Sequence, residues 1–252
     1  MKIKSVILIA PFIGLSLFLL LLNCCKKEDN MNPTNGRTTA LFNSNINYGS
    51  LTDQNGNIYK TVTIGSQTWM AENLRTTKYR NGDEIPEVTD STVWINLSSG
   101  AYCNYQNTNN LDTIATYGRL YNFAAVTDNR KIAPSGWHVP THDEWIILET
   151  YLIDSIASIK LKEPGSIHWK HHTWEGTNET GFTALPGGYR YHYGNQHGFY
   201  HLGIEGGWWT VTVGDSTNSD NVYHVTMGYN YSFLGGCNCP KGDGYSIRCV
   251  KD

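Results

Sequence analysis

Two thiols one residue apart, Cys237-Asn-Cys239, carry the sharpest chemical signal in the chain. Such a pair can close a tight ring, stay reduced, hold a soft metal or mark a redox site. A second signal is a histidine run. Six of the nine histidines fall between His168 and His201, and His168-Trp-Lys-His171-His172 would put three imidazoles on one face of a helix, as a metal site requires. Pro164-Gly165 before the run and Gly176 after it leave little room for that helix, and on a strand His171 points away from its neighbours. Exposed loop histidines and no metal are therefore expected. Asp215, Asn218, Asp220 and Asn221 are rich enough in oxygen to hold one Ca²⁺ and read as a solvated turn. Glu72, Glu144, Glu175, Glu179 and Glu205 are available for glycoside chemistry, but such pairs are defined by separation in space and the sequence does not choose among them. There is no Gly-x-Ser-x-Gly elbow, no phosphate-cradling loop and no dinucleotide fingerprint. The residues point to binding without a cofactor more than to catalysis.

The residues in excess are aromatic. Among 252 residues there are 16 Tyr and 8 Trp, and aromatic side chains reach 12%. Charged residues are 16%, against roughly 25% in an average soluble protein. With 19 Lys and Arg against 22 Asp and Glu, no polybasic field exists to hold a nucleic acid. Aromatic rings stack on the C–H faces of sugars, and amide side chains exchange hydrogen bonds with hydroxyls, so a Tyr, Trp, Asn and Gly-rich surface suits polysaccharide or glycoprotein ligands. Tyr189, Tyr191, Tyr193, Tyr200 and Trp208 are the candidates for that surface. In Trp208-Trp209 a strand would turn one ring inward and the other outward.

The first segment sets the compartment. A basic start at Met1-Lys-Ile-Lys4 precedes an apolar run from Val6 to Leu22 that stops at Asn23-Cys24-Cys25-Lys26-Lys27-Glu28-Asp29. This is the layout of a signal peptide. A thiol just after the apolar run is where bacterial lipoproteins are diacylated and cleaved, and the segment resembles a lipobox. Leu lies three residues before each thiol; Cys25 is preferred because it leaves the small Cys24 at the cleavage position, and Cys24 is the alternative. Two acyl chains give stable membrane attachment. Lys27-Glu28-Asp29 resembles the signal that sends Bacteroidota lipoproteins to the outer face of the outer membrane. Residues 1–24 are thus expected as a lipoprotein signal peptide and 25–50 as a flexible tether with a reach of roughly 25–30 Å. One domain, residues 51–252, follows.

Within that domain Ile58–Ile64 alternates apolar and polar, and Gly65-Ser66 turns it back through Gln67–Ala71, a β-hairpin. Good helix formers over Gly118–Val126 predict a short helix. Thr141-His-Asp-Glu144 is a capping box opening a helix that carries Trp145, Leu148 and Leu152 on one face. Later strands are expected over Phe182–Leu185, Tyr189–Tyr193, Gly207–Val213, Val222–Thr226 and Tyr245–Val250, with a turn at Pro186-Gly-Gly188. The fold class is α+β.

Several phrases then read together: Gln67-Thr-Trp-Met-Ala-Glu-Asn-Leu-Arg, Thr116-Tyr-Gly-Arg-Leu-Tyr-Asn, Gly136-Trp-His-Val-Pro-Thr, Asn178-Glu-Thr-Gly-Phe-Thr-Ala-Leu-Pro-Gly-Gly and Tyr245-Ser-Ile-Arg-Cys-Val. From about Thr52 to Asp252 the chain resembles the Fibrobacter succinogenes major paralogous domain. The resemblance implies a C-type-lectin-like fold with two short helices, a mixed, mainly antiparallel sheet and a long loop region. Glu163-Pro164-Gly165 departs from the calcium-site triplets of true C-type lectins. Cys103 and Cys249 lie within family-like phrases, and the resemblance implies a disulfide between them. The motif residues themselves read as structural. The roles left are a lipid-anchored glycan or protein binder, a carbohydrate-active or metal-dependent enzyme, and a structural partner domain in an envelope assembly.

Overall fold

The computed structural model describes residues 36–192, 198–214 and 221–252. Cys24, Cys25, Tyr193, Asp215, Asn218 and Asp220 lie outside the described residues, as do the side chains of Asn221 and Cys237. Regular structure begins where local chemistry is strong. β1 (Gly49–Thr52), β2 (Ile58–Ile64) and β3 (Gln67–Met70) pair antiparallel. The turn between β1 and β2 closes on the buried Asp53 carboxylate, which accepts from the Asn55 and Asn57 amides and from the Tyr59 hydroxyl. Gly65, at φ 59°, makes the expected hairpin turn.

The middle of the chain is made of short pieces. Asp90 caps α1 (Ser91–Ile95), β4 (Tyr102–Cys103) follows, and α2 (Leu111–Tyr117) leads to β5 (Leu120–Tyr121), which pairs with β4. The single helix expected over Gly118–Val126 does not form. Gly118, at φ 76°, ends α2, and the Asn122 side chain accepts from the Ala125 amide to start a separate α3 (Phe123–Thr127). After β6 (Trp137–His138), α4 (His142–Leu152) opens on the capping box: Thr141 Oγ1 accepts from the Glu144 amide and Glu144 accepts from the Thr141 amide. Trp145, Leu148 and Leu152 are its buried residues. α5 (Ala157–Leu161) completes the helices.

The second half is sheet. β7 (Gly187–Tyr191), β8 (Gly198–Leu202), β9 (Glu205–Val213), β10 (Asn221–Gly228) and β11 (Gly235–Pro240) form one five-stranded sheet in the order β11-β10-β9-β7-β8. β12 (Val250–Lys251) joins the first sheet, whose order is β1-β2-β3-β12-β6, so both ends of the domain meet there. Every strand pairing is antiparallel except β7 with β9. The architecture is α+β with short helices and mostly antiparallel sheet. The expected strands over Phe182–Leu185 and Tyr245–Val250 shrink to single bridges, at Ala184, Tyr245 and Ser246, before β12. Pro186-Gly-Gly188, expected as a turn, opens β7 instead.

Apolar residues gather on both faces of each sheet. Tyr59, Met70, Trp209, Tyr245, Ile247 and Cys249 belong to one cluster, and Val62, Trp69, Trp145, Trp208, Val225 and Val250 to another. Trp208 and Trp209 therefore point oppositely, as strand geometry demands, yet neither is exposed. Cys103 and Cys249 are buried free thiols, not a disulfide. Cys103 sits with Trp94, Ala101 and Leu120 in a third cluster while Cys249 lies in the first, and burial pushes the Cys103 thiol up to about 12.

Residues 36–50 do not behave as a tether. They belong to the compact unit Met31–Asp252, and Phe42, Ile46 and Tyr48 pack on the second cluster. The Arg37 amide bonds Asp112, Thr39 bonds Thr116 and His168, and the Leu41 amide bonds Glu163. The folded unit thus begins before residue 51.

Among the described residues, five buried cations hold the loops: Arg75, Arg119, Lys162, Arg190 and Arg248. Arg248 donates to the Phe182 and Thr183 carbonyls and to Asn73 Oδ1, with its guanidinium over the Phe182 ring. Asn73 also accepts from the Trp208 indole and donates to the Tyr117 carbonyl. Lys162 donates to the carbonyls of Trp174, Gly228 and Tyr231. Arg190 donates to the Val88 and Thr89 carbonyls and stacks on Trp94. A chain with this much irregular backbone buries carbonyls that no helix or ladder satisfies, and cationic side chains reach them.

Candidate functional site

Alternation along β7 sends Tyr189 and Tyr191 to one face of the second sheet and Arg190 to the other. On that first face lies an open groove of about 360 Å³, in the size range of ligand sites. Each of the five strands of the sheet contributes: Tyr189 and Tyr191 from β7, His201 from β8, Glu205 from β9, His224 and Thr226 from β10 and Cys239 from β11. Asp243 and Tyr245, from the segment after β11, close it.

Its floor is a run of rings. Tyr245 stacks on Tyr189 with centroids 5.3 Å apart and on His224 at 4.5 Å, and Trp209 meets Tyr245 edge-on at 4.9 Å. Tyr200 extends the run, 6.1 Å from Tyr189 and 6.3 Å from Tyr191. The Tyr245 ring can lie across β9 only because residue 207 is glycine: a Cβ there would stand 2.5 Å from the ring. Gly188, at φ 63°, likewise lets β7 approach the Tyr200 carbonyl.

The polar groups converge on the same face. Asp243, almost fully buried, accepts from the His192 amide at 3.1 Å and from His192 Nδ1 at 2.7 Å. Glu205 lies 3.8 Å from His201 Nδ1; burial lifts its carboxyl above the usual carboxylate range, and His201 partly offsets that. Tyr189 is pushed up to about 12 by burial, and then by the negative charges of Glu205 and Asp243. His201 holds the left-handed backbone at φ 68°, a conformation that costs a non-glycine residue energy and that clusters at functional sites.

Of the sequence candidates, Tyr189 and Tyr191 line the groove and Tyr200 packs beside them. Trp208 does not belong with them: it is fully buried and gives its indole N–H to Asn73. Among the five carboxylate candidates Glu205 alone lines the groove. Glu144 is held by its cap and by His138, Glu72 accepts from the Lys60 amide, Glu175 pairs with His171 and Glu179 with Lys160. The histidine run also separates. His171 is exposed, whereas His168, expected in an exposed loop, is half-buried, its side chain turned inward with Nδ1 2.6 Å from the buried Glu163 carboxylate. Among the described residues no group of three or more His, Cys, Asp or Glu is placed to hold a metal ion.

A larger cavity of about 420 Å³ lies by Val126, Ile132, Trp137 and Val211, and two of its polar side chains are tied into the protein. Arg80 donates to the carbonyls of Ala133, Pro134 and Trp137, and His138 sits between Asp252 and Glu144. The groove of the second sheet keeps carboxylate, imidazole and aromatic groups facing open space.

Fold and groove together define an α+β domain with mostly antiparallel sheet and an aromatic cleft across its second sheet. A family model, the Fibrobacter succinogenes major domain, matches residues 62–251, and the chain belongs to that family. No curated protein and no solved structure gives a significant match.

Proposed function

We propose that this domain is a binding module for glycan or glycoprotein ligands, held on the envelope by an N-terminal lipid and turned toward the cell exterior. The convergence of Tyr189, Tyr191, His201 and Glu205 along one open groove, floored by the buried Tyr245, carries the reading. Ring faces supply sugar stacking, and the Glu205 carboxylate accepts from sugar hydroxyls. A glycan array probed with the full-length chain tests it. Binding that is lost in Tyr191→Ala supports the groove, and a blank array for the wild-type chain, with and without Ca²⁺, rejects it.

The two-sheet α+β arrangement with long irregular connections supports the C-type-lectin-like fold implied by the family resemblance. Acylation at Cys25, or at Cys24, and surface display rest on the leader sequence. Among the described residues no helix is long and apolar enough to cross a membrane. Cys25→Ser should release the protein from membranes if that thiol carries the lipid, and protease treatment of intact cells should remove the domain if it faces outward.

One observation favours a hydrolase as the second reading. Glu205, with its raised carboxyl, lines the open groove, and a raised carboxyl is the kind of acid on which glycoside cleavage depends. Release of reducing ends from a bound polymer, abolished in Glu205→Gln, would select it over simple binding.

A further inference from the structure

We infer that the groove takes neutral or amine-bearing glycans and rejects glycans that carry carboxylates, so that uronic-acid polymers are excluded from it. The inference rests on the groove being the ligand site proposed above.

The charge inventory of the lining carries the step. Among the described residues its acidic side chains are Glu205 and Asp243, and none of its lining residues is Lys or Arg. The domain's buried cations are committed elsewhere: Arg248 and Lys162 to loop carbonyls, Arg190 to Val88 and Thr89 on the opposite face of β7. A cleft built to take a carboxylate normally presents the planar guanidinium fork that matches it. Here that fork is absent from the lining.

The groups facing Glu205 and Asp243 are Tyr189 and Tyr191 from β7, His201 from β8, His224 from β10, Cys239 from β11, Tyr245, and His192 beside Asp243. Two of the imidazoles already face a carboxylate, His192 at 2.7 Å and His201 at 3.8 Å. An incoming carboxylate therefore meets like charge at close range in a partly desolvated site, where Coulomb repulsion is poorly screened. An incoming ammonium meets the Glu205 carboxylate, with the Asp243 charge behind it, and the electron-rich faces of Tyr189 and Tyr191. A neutral sugar keeps the ring stacking and the hydroxyl hydrogen bonds without either charge effect. Backbone carbonyls do not change the sign, since they too repel a carboxylate.

The test uses the full-length chain in detergent and matched β-1,4-linked oligosaccharides that share one ring backbone and differ in one substituent. Cello-oligosaccharide supplies the hydroxyl, chitosan oligosaccharide the amine and glucuronate oligosaccharide the carboxylate; a galactose and galacturonate pair repeats the comparison on a second backbone. For every backbone that binds, the neutral or amine member should bind at least tenfold more tightly than the carboxylate member at pH 7.5. Burial holds the Glu205 carboxyl above the usual range, so it gains a proton early as pH falls. The gap between the neutral and carboxylate members should therefore narrow at pH 5, and Glu205→Gln or Asp243→Asn should narrow it at pH 7.5. Equal or tighter binding of a carboxylate member overturns the inference and leaves the groove as a glycan site. Absence of binding by every member overturns both.

Discussion

Two regions of the second sheet draw on similar side chains and use them in opposite ways. Around Asn73 and Arg248, every polar group is matched: the guanidinium satisfies two carbonyls and an amide, that amide oxygen also takes the Trp208 indole, and all of these groups are buried. Across the sheet, at the groove, Tyr191, His201 and Glu205 face a cleft over the buried Tyr245, one lining residue, His201, is held at positive φ and the Glu205 carboxyl is raised by burial. Asn73 and Arg248 of the first region fall in the family-like phrases, and of the groove's aromatic residues only the buried Tyr245 does. Groups fully matched inside the protein stabilise it and have nothing left to offer a ligand. Groups left facing a cleft contribute little to folding and are available.

The sharpest break in that comparison would come from Arg248. Arg248→Met removes the donor to the Phe182 and Thr183 carbonyls and should cost about 2–5 kcal/mol of stability, read by urea unfolding. A loss under 1 kcal/mol would mean that water or a shifted side chain replaces it easily. Gly207→Ala comes next. Its Cβ would stand 2.5 Å from the Tyr245 ring, so about 1–3 kcal/mol of overpacking should appear together with weakened binding, because the ring also floors the groove. This position joins the two regions, and an effect on stability alone would separate them further.

Tyr191→Ala should do the reverse of Arg248→Met. Loss of one stacking ring should weaken glycan binding about tenfold with stability changed by less than about 1 kcal/mol, checked by titration calorimetry and thermal melting. Thr141→Ala lies far from the cleft in function and should cost about 1 kcal/mol through the lost cap, with binding unchanged.

The smallest effect is expected at His138. Burial alone would lower its pKa, but hydrogen bonds to the Asp252 and Glu144 carboxylates outweigh that and raise it. A raised folded-state value makes this contribution full below the unfolded histidine value of about 6.5 and lost as pH rises through the folded value. The stability difference between the wild-type chain and His138→Gln should therefore shrink from pH 6 to pH 8. A difference that grows over that range would reverse the assigned sign.

Legibility in the sequence follows the same division. The capping box at Thr141, the hairpin at Gly65 and the Asp53 turn are local chemistry, and they stand where the residues place them. Tyr189 and Tyr191 were readable because alternation along one strand gives them a common face. The pairing of Glu205 with Asp243 and Tyr245 was not, because it depends on β7 lying parallel to β9 and on the return of the chain through Gly244 beside Arg190. Trp208 misled because a two-faced sheet buries both rings of a Trp-Trp pair. Gly118–Val126 misled because helix formers there are divided by a left-handed glycine and an asparagine cap. Residues 36–50 look like a tether in composition, yet backbone amides and a few rings suffice to dock them.

The central claim is that ligand binding resides in the groove and not in the motif-built frame. Titration of one glycan ligand into full-length wild-type chain, Tyr191→Ala and Arg248→Met, each held at a temperature where it is folded, tests this most directly. The expected result is a roughly tenfold weaker Kd for Tyr191→Ala and a Kd within about twofold of wild type for folded Arg248→Met. Unchanged affinity in Tyr191→Ala, with affinity lost in folded Arg248→Met, would contradict it.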